Sequence, residues 1–287
     1  MTALATPPVA APPPLSPAPR RRPVRQGSLT LTSRIGLGVS LLWFSLLVLV
    51  PLAAVVAASA AGGWSGFWTV LQNDMTAAAL RLTVVTAVLT TVLNIVMGTV
   101  IAWVLVRDRF WGRSVLNVII DVPFALPTVV AGLVLLSLYG PQSPLGINVA
   151  NTRTAVFLAI AFVTLPFVVR TVQPVLEELE ADVEEAAASL GASRLTTVRR
   201  VILPALVPAI SAGAALAFAR AISEYGSLVL LSGSLPFETQ VASVRVLAYL
   251  EGGDRAGAAT VATLLLAIAL VVIVLLDVIQ RRVSRRG

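Results

Sequence analysis

Arg220 and Glu224 are the two residues of this 287-residue chain best placed to do chemistry on a solute. They lie four apart in Phe218-Ala219-Arg220-Ala221-Ile222-Ser223-Glu224-Tyr225-Gly226, inside an apolar run long enough to cross a bilayer. Near the midplane an unpaired charge costs roughly 3 kcal/mol on insertion scales, so both must face protein or water. On a helix they share one face and can pair, although acid before base is the better order. Two chemistries suit them. A guanidinium is a planar donor fork that matches an oxyanion. Alternatively, the carboxylate one turn away neutralises it and the two form a structural clasp beside a pathway. The clasp is the expectation, because a dianion held tightly in mid-membrane would be slow to leave.

Catalysis is not expected. The chain has no Cys and no His, and all 21 of its basic residues are Arg. That removes a P-loop lysine, a Schiff-base lysine, a histidine base, and any thiolate or His-rich metal site. No metal and no cofactor is expected on this chain. If ATP and Mg drive it, another chain binds them.

The most charged stretch of the interior is Val175 to Pro204, VLEELEADVEEAAASLGASRLTTVRRVILP, which holds six of the fourteen acids. Pro174 suits the first turn of a helix, and Leu176, Leu179, Val183, Ala186 and Leu190 recur at steps of three and four as one apolar stripe. Gly191 stands where a left-handed C-terminal cap is expected, and Ser193 can cap a second short helix that Leu203-Pro204 stops. The bland account is a solvated acidic helix with a glycine cap. A hook at the membrane surface is the sharper one.

The hook resembles the EAA loop of permease subunits of bacterial ABC importers. Glu185-Ala186-Ala187, Gly191, Val201 and Leu203-Pro204 keep every spacing of that pattern. The resemblance implies that this loop packs into a groove on a separate ATPase subunit and passes its motion to the membrane helices. A second likeness covers nearly everything from Leu29 to Arg282. FARAISEYGS, PFALPTVVAGL and LSGSLPFETQ resemble the T-type permeases of sulfate/thiosulfate ABC importers. One departure is Ser223, where that family usually has glycine; a serine can bond back to its own backbone, so tolerance is expected. Molybdate permeases share the hook and a related Glu-(Phe/Tyr)-Gly sequence, so a molybdate or tungstate permease is the alternative within the class. The resemblance implies two copies of an ABC ATPase, a second, W-type permease subunit, and an extracytoplasmic sulfate-binding protein that delivers sulfate or thiosulfate.

The elements that must position these residues follow from composition. Hydrophobic residues make up 57% of the chain and charged residues 12%, outside the soluble range. Six apolar segments, at about 35–61, 80–106, 115–139, 155–173, 205–232 and 256–279, can each cross a core of about 30 Å. The expected fold is all-α and polytopic, with about six transmembrane helices, of the type I ABC importer permease kind. Sixteen arginines lie at one set of segment ends. Only Arg81, Arg153, Arg245 and Arg255 lie at the other. The positive-inside rule therefore puts both termini and the hook in the cytoplasm of a bacterial inner-membrane protein. It also explains the net charge of +7 without nucleic acid.

Residues 1–27, with eight of the eighteen prolines, read as a disordered cytoplasmic tail ahead of a permease domain at 28–287. A signal peptide is the other reading, but the apolar run from Ile35 is too long for one. Trp64, Phe67 and Trp68 suit the outer headgroup layer. Outer loops at 140–154 and 233–255 are expected to receive the binding protein. Pro123 and Pro127 each remove an amide donor from the third segment, which marks either a cavity-lining break or a simple kink. Asp121 is close enough to the cytoplasmic end to reach the interface. Ser211-Ala212-Gly213-Ala214-Ala215 offers a small-residue face for close helix contact. A secondary transporter or channel without an ATPase is the rival class; it predicts internal inverted repeats, and none is evident.

Overall fold

The computed structural model describes residues 30–179, 184, 185, 187 and 189–284, and every described element is helical. The proline-rich tail, Ala186 and two of the six acids of the hook, Glu180 and Asp182, lie outside the described residues. Contacts divide the chain into two units, Met1–Pro51 and Leu52–Gly287.

The helix α1, Leu31–Ala60, starts in the first unit. The Thr30 hydroxyl caps it by accepting from the Ser33 amide, and one wide turn interrupts it at Ser45–Leu49. The second unit continues with α2 (Gly63–Gln72), whose Trp64, Phe67 and Trp68 rings pack on one another. Then come α3 (Asp74–Arg107), α4 (Arg113–Ala125), α5 (Thr128–Tyr139) and α6 (Arg153–Glu178). After the hook follow α7 (Arg194–Ile222), α8 (Gly226–Leu231), α9 (Ala242–Glu251) and α10 (Arg255–Ser284).

Among the described residues, five helices are long and apolar enough to cross a membrane; the pair α4–α5 is apolar enough together but is bent by 118° at its break. Two apolar clusters hold the bundle together. One, around Val156, Ile160, Phe218, Leu228 and Leu231, lies toward the 140–154 loop. The other, around Leu105, Val168, Val172, Leu176, Ile202 and Leu206, lies toward the hook. Between them the Asn94 amide donates to the Thr164 hydroxyl at 2.8 Å and to the Ala161 carbonyl at 3.1 Å. A buried amide satisfied on both protons locks α3 against α6 in one register. The small-residue face of α7 does what its composition suggests: a Cβ at Gly213 would run into Thr171 and the Val168 backbone of α6.

Three expectations need correction. No helix begins at Pro174; it lies inside α6, which runs on to Glu178. Val172 and Leu176 on either side of it are fully buried, and that packing outweighs one missing backbone bond. Leu203-Pro204 does not stop the second hook helix either. That helix is the first part of α7 and passes through Pro204 without a break. A wide turn at Val198–Ile202, in which the Leu203 amide reaches back to the Val198 carbonyl, shifts the ladder just where the proline has no donor to offer. Finally, the fifth segment is not one helix to its end. It breaks at Ser223–Tyr225 and resumes as α8.

Candidate functional site

The hook is built as a helix end followed by a glycine cap. Glu184, Glu185, Ala187 and Ser189 are helical, and Gly191 has φ +79. The Ala192 amide donates to the Ala187 carbonyl at 3.0 Å, which closes the six-residue ring of a Schellman cap. The Ser193 hydroxyl then accepts from the Thr196 amide and starts α7. Glu185, Gly191, Leu203 and Pro204 are exposed, as are Leu190 and Leu195, so the hook presents apolar and acidic groups together on its surface. Ala187 is half-buried.

Among the described acids of the hook, Glu184 ties it to the end of α3. Arg107, the last residue of α3, places Nη2 2.5 Å from Glu184 Oε1 and donates to the Leu179 carbonyl at 3.5 Å. On sequence alone Arg107 is only a topology charge, because a partner 77 positions away leaves no local signal. A second tie is equally silent in sequence. Arg170 of α6 grips Asp121 of α4 with both arms of its fork, at 2.7 and 2.6 Å. The same guanidinium donates to Asn117 Oδ1, the Asn117 carbonyl and Gln173 Oε1. Asp121 therefore anchors the first half of the broken span to α6.

Of the two prolines in that span, Pro123 stays inside α4, and the break falls at Leu126-Pro127. The helices on either side turn by 118°, which makes this a break and not a simple kink. Phe124 packs edge-on against Phe167, with ring centroids 4.9 Å apart, and so holds α4 to α6 at the turn.

Arg220 and Glu224 meet across the other break. Arg220 Nη2 lies 2.7 Å from Glu224 Oε2, although Glu224 is past the end of α7 and not on its helical face. The approach is a charge contact and not an aligned hydrogen bond. The other carboxylate oxygen bonds elsewhere. Glu224 Oε1 accepts from the Ser227 amide and from the Ser227 hydroxyl, both at 2.9 Å. Glu224 thus caps α8 while it pairs with the end of α7. Its carbonyl accepts from the Ser243 hydroxyl at 2.6 Å, which joins α9 to the same break. The Glu224 side chain is fully buried, and that of Arg220 is 30% exposed. Ser223 donates to the Arg220 carbonyl at 3.1 Å, the local bond expected of a serine in place of glycine.

The two breaks touch. A Cβ at Gly226 would collide with the Thr128 hydroxyl, and one at Gly132 with the Ser227 backbone, so α5 and α8 start side by side at van der Waals contact. Pro127 and Glu224, separate in sequence, belong to one junction of two interrupted spans.

Residues 94–286 match the family described as binding-protein-dependent transport system inner membrane component. The chain is 40% identical over 259 residues to the sulfate transport system permease protein CysT of Salmonella typhimurium, covering 88% of this chain and 94% of that one. It is 42% identical over 250 residues to the CysT protein of Synechocystis, covering 85% and 87%. Among solved structures it is similar to a chain of a bacterial alginate ABC transporter bound to its pentasaccharide-loaded periplasmic protein. The TM-score there is 0.71 at 18% identity, covering 88% of this chain and 94% of that one. A chain of the methionine ABC transporter MetNI follows at a TM-score of 0.57 and 18% identity, covering 73% and 96%. The chain belongs to the binding-protein-dependent transport system inner membrane component family and has the fold of type I ABC importer permeases.

Proposed function

We propose that this chain is one permease subunit of an ATP-driven importer of sulfate or thiosulfate. The observation that carries the reading is the 40% identity with a sulfate permease over 88% of the chain, with the hook intact within it. Two ATPase copies dock on the two hooks of a permease pair, a second, W-type permease completes that pair, and an extracytoplasmic binding protein delivers the anion. Glu185, Ala186, Ala187, Gly191, Leu203 and Pro204 form the ATPase-coupling surface. The ATPases carry the ATP and Mg; this chain carries the motion. Because α3 is tied to the hook through Arg107 and Glu184, and α7 starts from it directly, a displacement of the hook reaches two spans at once. Alternating access then needs two packings of the bundle, biased by nucleotide at one end and by the binding protein at the other.

The deciding experiment is uptake of labelled anion in cells that lack this chain and then regain it, with the transporter purified in mild detergent alongside. Restored sulfate or thiosulfate uptake and a stoichiometric ATPase support the reading. Restored molybdate uptake with no sulfate uptake moves the substrate to the larger oxyanion. A pure chain that transports with no ATPase returns the protein to the secondary-transporter class.

The sixteen-to-four division of arginines supports cytoplasmic termini and a cytoplasmic hook. Reporter fusions after Gly62, Gly112, Gly146 and Gly287 are expected to read out, in, out, in. An external signal at Gly287 would separate the hook from any cytoplasmic ATPase and overturn the topology.

A further inference from the structure

The end of the bundle opposite the hook holds a cavity of about 650 Å³ between α3 and α6. Two of the few arginines on that side, Arg81 and Arg153, line it beside Thr154, and Val85, Leu89 and Phe157 supply an apolar wall. Arg153 is partly committed: its Nε donates to the Glu238 carbonyl at 3.1 Å and its Nη2 to the Phe237 carbonyl at 3.3 Å, which holds the 233–241 loop over the opening. Arg81 makes no hydrogen bond or ion pair among the described residues. From that wall, Val85, Leu89, Val92 and Val96 run on along α3 as one exposed stripe at steps of four, three and four. None of the residues of the hook or of the two breaks lines this cavity.

We infer that the cavity binds the phosphodiester headgroup of an anionic phospholipid in the leaflet opposite the hook, with an acyl chain laid along the Val85–Val96 stripe. The polar part of the lining, two guanidinium forks and a hydroxyl, suits any tetrahedral oxyanion. The apolar wall separates the two sources. A free dianion seated against Val85, Leu89 and Phe157 would lose hydration on that side with nothing in return. A phospholipid sets its charge on the arginines and its chain on the apolar residues. The inference rests on membrane insertion of the bundle and not on which solute is carried.

The test is native mass spectrometry of the assembled transporter, extracted from vesicles of phosphatidylethanolamine and phosphatidylglycerol at equal mole fraction. Phosphatidylglycerol is expected to be retained in preference, and Arg81→Gln to lower its retention roughly fivefold, the effect of one basic residue at an anionic membrane surface. Millimolar sodium sulfate is expected to leave the retained lipid in place. Because Arg153→Gln would also release the 233–241 loop, Arg81→Gln is the variant that decides. Unchanged retention in that variant, or equal retention of the two lipids, overturns the proposal. So does displacement of the lipid by sulfate with the same dependence on Arg81, which would make the cavity a free-oxyanion site.

Discussion

Gly191→Val is expected to abolish ATP-coupled uptake while leaving the subunit inserted and its spans packed. The backbone at Gly191 sits at φ +79, where a β-branched residue is strained, at a cost on the order of 1–3 kcal/mol. That is roughly a ten- to hundredfold loss in the population of the hook geometry. The cause would be purely local, since a Cβ at this position meets nothing within 4 Å. Gly191→Asn supplies the control, because asparagine tolerates the left-handed region, and it should keep most of the activity. The readouts are anion uptake, co-purification of the ATPase, and abundance of the chain in the membrane. Normal uptake and normal co-purification in Gly191→Val would reduce the hook to a solvated loop. A fall in abundance equal to the fall in uptake would point to misfolding instead of uncoupling.

The second large effect is expected at Arg220 and Glu224, and the structure changes its form. Read as a pair on one helix face, they should tolerate an exchange of charges. The capping role of Glu224 forbids this, because an arginine at position 224 has no acceptor for the Ser227 amide and hydroxyl. Arg220→Gln leaves a fully buried carboxylate without its cation, for which the cost is about 3–5 kcal/mol. Glu224→Gln keeps an oxygen to cap α8 and leaves only a cation that is already 30% exposed, so its cost is smaller. The neutral double variant, Arg220→Gln with Glu224→Gln, should recover part of the loss of Arg220→Gln, whereas the charge swap should recover none. Subunit abundance and uptake across these four variants decide the matter. A swap that restores both would sink the capping argument. Glu224→Gln with full uptake and tighter anion binding would make Arg220 a direct anion site.

Much of the site was legible because its signals are local. The Gly191 cap and the Ser193 cap each act within a few positions of the chain, so residue type and spacing carry them, and the small residues around Gly213 mark a close contact by composition without naming α6 as its partner. The two prolines were legible as a disturbance but not as a geometry. Both lack a donor, yet only Pro127 breaks the span, because the backbone before Pro123 stays helical while Leu126 turns extended. The same limit applies at Pro174 and Pro204. A proline announces a missing hydrogen bond, and the surrounding packing decides whether the helix survives it.

What the sequence determined by itself is the membrane solvent, the helical class and the glycine cap of the hook. Each of these follows from hydropathy over about twenty residues or from a turn that a glycine dictates nearby. What only the tertiary structure decided is which charges meet and what they hold. Arg107 found Glu184, Arg170 found Asp121, and Glu224 turned from a helix-face partner of Arg220 into the cap of α8. The physical reason is one of range. A buried charge must find an opposite charge or a donor somewhere, but desolvation sets only that it must, and the packing of helices distant in sequence sets where. The meeting of the two breaks, with Gly132 and Gly226 admitting α5 and α8 to contact, is a decision of the same kind.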